Sequence, residues 1–243
     1  SSVCFESTNT VNITGASDLD GDYVINYTLS GAVNVSRSVT VNFDRNAAIN
    51  GSFSINQSDL NGSGTVTVTI ADIASTLTGC TVSGATFNNT VNFTVYPQVP
   101  EATLVPKGQA FCSKIGNTNN PRVSDLTSRL NLTEGTTVNW YDALTGGSLI
   151  SNNPELINGM AYYAEIESIS NGCTSTSPRL EVVVDTNKCL FIPEGFSPNG
   201  DGINDLLVFE NLDFYYPDYT VEIYNRYGNK LFTGNAQTSP WDG

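Results

Sequence analysis

The chain has 243 residues and carries 24 acidic against 10 basic side chains, a formal net charge of −14, with no His. That balance excludes nucleic acid as a partner, because little here neutralises a phosphate backbone. It also argues against anionic membrane surfaces. Charged residues make up only 14% of the chain, and Thr, Ser and Asn supply much of the polarity, as on the exposed strand faces of secreted β-proteins. No apolar run approaches the roughly 20 residues of a membrane span. The opening "SSVCFESTNT" reads as the interior of a longer protein or a mature fragment.

Residues 1–97 are predicted to form one β-sandwich. Tyr23–Leu29, Val33–Phe43, Gly64–Ile70 and Val91–Pro97 all alternate with period two, the signature of strands with one wet and one dry face. Arg37 is the one polar member of its apolar row. Turn signals separate the strands, at Ser17–Asp22, Asn50–Gly51 and Asn61–Gly64. The first groups Asp18, Asp20 and Asp22 and reads as a solvated turn. Three prolines in Tyr96–Pro106 mark a linker.

Residues 98–186 are predicted to form a second sandwich, with strands in Thr136–Ala143, Met160–Ser168 and Arg179–Asp185 and a helical turn in Val123–Leu130 capped by Ser124. Trp140 lies between Cys112 and Cys173, the Cys…Trp…Cys order of immunoglobulin-like domains. Cys173 departs from that pattern, since it sits in the turn "SNGCTS". Of the five cysteines none forms a C-x-x-C pair, so structural disulfides in an oxidising compartment are expected. Cys4 and Cys80, near the ends of the first module, are the expected first pair. Cys112 and Cys173 are the expected second pair, with Cys189 odd; the alternatives for Cys189 are a free thiol, a bond to Cys112 or Cys173 instead, or a partner outside these residues.

Residues 187–243 form the third segment, and its most specific stretch is "GFSPNGDGINDLLVF" from Gly195 to Phe209. Two readings of that loop stand side by side. In the first it is a tight turn: Pro198 fixes φ, Gly200 and Gly202 supply positive φ, and Asn204 or Asp205 bonds back to local N–H groups. In the second it is a weak calcium loop, with Ser197, Asn199, Asp201, the carbonyl of Ile203 and Asp205 at the ligand positions. Further on, "TVEIYN" and "NKLFTG", joined by "RYG", read as a hairpin. A segment of about 50 residues is marginal without help from a neighbour.

Phe196–Asp205 ("FSPNGDGIND"), Val221–Phe232 ("VEIYNRYGNKLF") and Trp241–Gly243 ("WDG"), in that order, resemble the type B C-terminal sorting domain of type IX secretion cargo in gliding Bacteroidota. This is also described as the gliding motility-associated C-terminal domain. The family continues past "WDG", so the resemblance implies an incomplete domain here. Val138–Ile150 and Tyr162–Ser175 are similar to the immunoglobulin-like modules that commonly precede it. Residues 1–97 more loosely resemble the modules of large gliding adhesins of the SprB type.

The resemblance implies an all-β chain of tandem Ig-like sandwiches with a small β-rich sorting domain. It implies a cell-surface adhesin exported across the outer membrane. The implied partners are the type IX translocon and an outer-membrane barrel of the PorP/SprF family, and the upstream modules would contact a surface glycan or substratum. The recognition residues it points to are Asn199, Gly200, Asp201, Gly202, Asn204 and Asp205, followed by Asn225, Arg226 and Gly228. Arg226 would contact a partner carboxylate or pair with the loop aspartates. No enzyme is expected, since no His serves as general base and no nucleophile elbow or phosphate loop occurs. The competing reading is a stalk and sorting tail for an upstream enzyme. No cofactor is expected beyond the calcium of the second loop reading.

Overall fold

The computed structural model describes residues 1–114, 119–176 and 178–243. The fold is all-β, with two short helical segments, α1 (Val123–Thr127) and α2 (Leu212–Tyr215), and two single 3-10 turns. Among the described residues no helix is long and apolar enough to cross a membrane. The chain forms two compact units. The first comprises Ser1–Glu101, Thr133–Thr137 and Glu165–Pro178. The second comprises Ala102–Leu132, Val138–Ala164 and Arg179–Gly243. The linear boundaries at 97/98 and 186/187 remain a division of the sequence, and compactness groups the residues differently.

The first unit is a two-sheet sandwich. Its strands are β1 (Ser2–Val3), β2 (Asn9–Ile13), β3 (Gly21–Gly31), β4 (Val35–Phe43), β5 (Gly51–Ile55), β6 (Gly64–Ser75), β7 (Thr81–Ser83) and β8 (Thr90–Val95). The large sheet runs β1-β8-β6-β3-β4, with β7 on β6, and β2 pairs with β5 in the small one. Period-two alternation sends one row of each strand inward. Ile25, Tyr27 and Leu29 of β3, Val66 and Val68 of β6 and Phe53 and Ile55 of β5 share one buried core. Arg37, the exception in its row, is half-exposed and pairs with Asp59 through the Nε–Nη2 edge of its guanidinium, with Nε donating to Asp59 Oδ2 at 2.9 Å and Nη2 to Oδ1. Asp59 is only 7% exposed, so this fork satisfies a carboxylate that the core would otherwise strand. The turn aspartates are also engaged: Asp20 pairs with Arg45 at 3.3 Å, and Asp22 accepts from Asn42 at 2.7 Å.

In the second unit β9 (Thr103–Leu104) pairs with β10 (Leu130–Asn131). The strands β11 (Thr136–Tyr141), β12 (Ala161–Ser168) and β13 (Leu180–Val183) follow each other in one sheet. Residues 136–137 and 165–168 of these strands belong to the first unit. Trp140 is buried and its indole N–H donates to Thr127 Oγ1 at 3.1 Å. Ser124 does not cap α1. The helix starts one residue earlier, and the Asp125 carboxylate accepts from the Arg122 N–H at 2.7 Å to close the first turn. The Ser124 N–H donates to Asn153 Oδ1 instead. The hairpin β14 (Val221–Tyr224) and β15 (Lys230–Gly234) ends the unit.

Both expected disulfide pairings are corrected. Cys4 bonds Cys173, and Cys112 bonds Cys189, leaving Cys80 free and exposed. The strand register explains the first correction. Cys4 follows Val3, which lies beside Val95, and Val95 pairs with Gly64 at the start of β6. Cys80 bonds Ser75 at the other end of β6. Eleven residue steps of strand hold the two ends about 35 Å apart, whereas a disulfide needs Cα atoms within about 7 Å. Cys173 lies in a hairpin turn of the same unit, where Ser168 donates to its carbonyl at 2.8 Å. Cys112 bridges Asn187 across an antiparallel pair, which brings Cys189 within reach at a Cα separation of 4.4 Å.

Two outcomes follow. Arg37→Met removes the partner of a buried carboxylate and is expected to lower the urea unfolding midpoint. In native protein a thiol reagent is expected to modify Cys80 alone, and peptide mapping identifies the modified residue.

Candidate functional site

The site is built from residues 190–243, within the second unit. Among the described residues, none of the buried apolar side chains lies beyond Val184. The segment is therefore organised by local polar bonding and a line of half-buried aromatics.

The loop is the clearest case of polar bonding. Gly200 and Gly202 have φ of 76° and 82°, and Asn204 has φ of 55°, conformations that Gly and Asn enter at least cost. These reversals turn successive N–H groups inward onto one carboxylate. Asp205 Oδ1 accepts from the N–H groups of Asn199 at 3.0 Å and Gly200 at 2.7 Å. Its Oδ2 accepts from Gly202 at 2.7 Å. Asp201 closes a smaller ring: its Oδ1 accepts from the Ile203 N–H at 2.8 Å and its Oδ2 from the Asn199 amide at 3.0 Å. Asn199 Oδ1 accepts in return from the Asp201 N–H. At the loop's neck the Ser197 N–H donates to the Asn204 carbonyl at 2.8 Å.

Both carboxyl groups are held below their usual range. For Asp205 the main cause is donation from Gly200 and Gly202; for Asp201 it is the Asn199 side chain, followed by the Ile203 N–H. Donors to the charged form favour that form.

The same bonds bear on the calcium reading. Ser197, Asn199, Asp201, Ile203 and Asp205 do come together. However, all four carboxylate oxygens accept N–H donors, and the Ile203 carbonyl takes the Ser197 hydroxyl. Asp205 Oδ1 is filled by two donors, whereas each of the other three carboxylate oxygens accepts one. Among the described residues no group of three or more His, Cys, Asp or Glu is placed to share a metal ion.

Asn225, Arg226 and Gly228 sit apart, in the turn of the β14–β15 hairpin. Asn225 Oδ1 accepts from the N–H groups of Tyr227 at 2.9 Å and Asn229 at 3.0 Å, and Gly228 has φ of 82°. Arg226 is exposed, with its guanidinium 5.0 Å from the Tyr227 ring centroid. Among the described residues no ion pair joins it to Asp201 or Asp205, whose oxygens accept from backbone N–H groups and the Asn199 amide.

What unites the three sequence blocks is Trp241. Its ring lies 5.2 Å from Phe196 at the neck of the loop and 6.4 Å from Phe232 of β15. Its carbonyl accepts from the Leu207 N–H at 2.9 Å. Gly243 packs so closely on Pro198 that a Cβ there would stand 2.8 Å from the ring carbon. Leu207, Ile223, Phe232 and Trp241 line an open cleft of about 200 Å³. Trp241 is absent from the expected recognition residues, although an aromatic in a short Pro–Trp–Asp–Gly run was the available signal. The outward side of the loop presents Ile203, 67% exposed.

The fold defines a disulfide-bonded all-β protein that ends in a loop-and-hairpin segment. Residues 190–243 match the family model CHU_C, described as a type IX secretion signal domain. No curated protein matches the chain. The segment carries a type IX sorting signal, and the chain is secreted cargo of that machinery, exported across the outer membrane.

Replacing Asp205 by Ala removes the acceptor of three N–H groups. Amide exchange at Asn199, Gly200 and Gly202 is expected to rise about tenfold or more, read by NMR. Because the folded pKa values are depressed, the ordering they provide is present above the ordinary carboxylate value, about 4. It is lost as pH falls through the lower folded values. The same amides are therefore expected to stay protected at pH 5 and to lose protection below about pH 4.

Proposed function

We propose that this chain is the C-terminal region of a large cell-surface adhesin of the gliding type, in which the β-sandwich is a spacer and residues 190–243 are the address read during export. The work of the region is recognition, not catalysis. The reader of the address would be the type IX translocon together with an outer-membrane barrel of the PorP/SprF family, and the sandwich modules would meet a surface glycan or substratum.

The observation that supports the address is the convergence of the three sequence blocks on Trp241 beside a loop whose shape Asp201 and Asp205 dictate. A recognition element must present one shape, and rigidity of this kind lowers the ordering cost of binding. The loop engages its charged oxygens with its own N–H groups and leaves the Ile203 side chain exposed, so a partner would read shape and an apolar contact before charge. Spacer duty suits the first unit. Its strands are long, its outer rows are Ser, Thr and Asn, and the Cys4–Cys173 bond ties residues separated by 169 positions.

A fluorescent reporter fused ahead of residues 1–243, which keep both Cys112 and Cys189, is expected to reach the surface or medium of a bacterium with type IX secretion, and the same fusion without residues 190–243 is expected to stay in the periplasm. Retention of the fusion that carries residues 190–243 would refute the address. In the full chain, Asp201→Ala with Asp205→Ala is expected to lower surface levels several-fold, while Arg226→Ala has the smaller effect. A glycan array with residues 1–243 tests the adhesive arm, and no binding above background would remove glycan from the account.

A further inference from the structure

The entrance to the sorting segment is unusually crowded with bonds. Cys189 stands directly before Leu190 and is bonded to Cys112. Around it the two passing strands exchange a ladder: Phe111 donates to Asp185 at 2.8 Å, Ser113 to Thr186 at 2.9 Å and Lys188 to Phe111 at 2.9 Å. After the address loop, α2 brings the chain back to the same place. The Asn211 amide donates to the Cys189 carbonyl at 2.7 Å, and the Tyr215 hydroxyl donates to the Lys188 carbonyl at 2.6 Å. The ammonium groups of Lys107 and Lys188 each lie 5.0 Å from the Phe214 ring centroid. Lys107 also donates to the Phe214 carbonyl. Both ends of residues 189–215, with the address loop between them, are thus fixed on one disulfide-bonded ladder.

We propose that this cluster is a redox-dependent latch: the Cys112–Cys189 bond and the Phe214 aromatic clamp hold the sorting segment folded, so that the address takes its shape only after these cysteines are oxidised. The physical basis is the absence of a core. A segment with no fully buried apolar side chain has little to oppose chain entropy, and a cross-link at its root restricts the unfolded alternatives. Formation of the bond is a thiol–disulfide exchange. The thiolate of one cysteine attacks a disulfide of an exchanging oxidant, and the thiolate of the other displaces it. The oxidant leaves as its dithiol, having taken two electrons and two protons. The inference rests on the address reading for its consequence in export, but the latch itself is a structural statement.

The test uses the full chain, whose two tryptophans report separately. Trp140 lies in the buried sheet and Trp241 in the sorting segment. In Cys112→Ser/Cys189→Ser the Trp241 indole N–H resonance is expected to move to its disordered position, with Gly200 and Gly202 amides exchanging about tenfold faster or more. The Trp140 resonance is expected to hold. An unchanged Trp241 overturns the latch. If Trp140 is lost as well, Phe214→Ala/Tyr215→Phe decides, because it keeps the disulfide. That variant is expected to accelerate Gly200 and Gly202 exchange with Trp140 intact, and unchanged exchange overturns the proposal. An intact latch with undiminished export of the Asp201→Ala/Asp205→Ala chain would instead refute the address reading alone.

Discussion

Three backbone N–H groups, those of Asn199, Gly200 and Gly202, converge on the Asp205 carboxylate, and the geometry of the terminal segment depends on that convergence. A loop outside a sheet has no ladder to satisfy its N–H groups. Here one side chain takes the ladder's place, and the left-handed conformations of Gly200, Gly202 and Asn204 aim the donors at it. From the neck of this knuckle Phe196 reaches Trp241, and from Trp241 the contact passes to Phe232 of the hairpin. The order of the sorting segment is thus carried by polar closure at one end and a short aromatic line at the other.

The sandwich of the first unit and the terminal segment of the second are stabilised in different ways. The sandwich has a conventional dry interior, and its one charged intrusion, Asp59, is matched by the Arg37 fork. The sorting segment has no such interior and leans on the ladder around Cys112 and Cys189. A sorting signal read by transport machinery has reason to be built this way. Its loop is closed by bonds among near neighbours, Asn199 to Asp205.

Much of the architecture was legible in the residues. Strand alternation in Tyr23–Leu29 and Val33–Phe43 located β3 and β4 within a few positions, because side-chain direction in a strand depends only on parity. The turn reading of "SPNGDGIND" was also accessible, since Gly and Asn at fixed offsets from Asp define the turn chemistry. The sharper resemblance of the last segment to a sorting domain agrees with the family match over residues 190–243. Trp241 stood in the sequence only as the start of the third matching block; its contacts to Phe196 and Phe232, 45 and 9 positions away, belong to the folded chain.

By itself, the sequence determined what depends on near neighbours: the strand faces, the turns and the class of the terminal segment. Only the tertiary structure decided the disulfides, the partner of Arg37 and the joining of the three blocks. Cysteine spacing carries no information on which thiols meet. That is settled by strand register, which holds Cys4 and Cys80 at opposite ends of β6 and draws Cys189 to Cys112 across the Asn187 bridge. Contacts of this kind depend on which strands lie side by side, and that is a property of the folded chain.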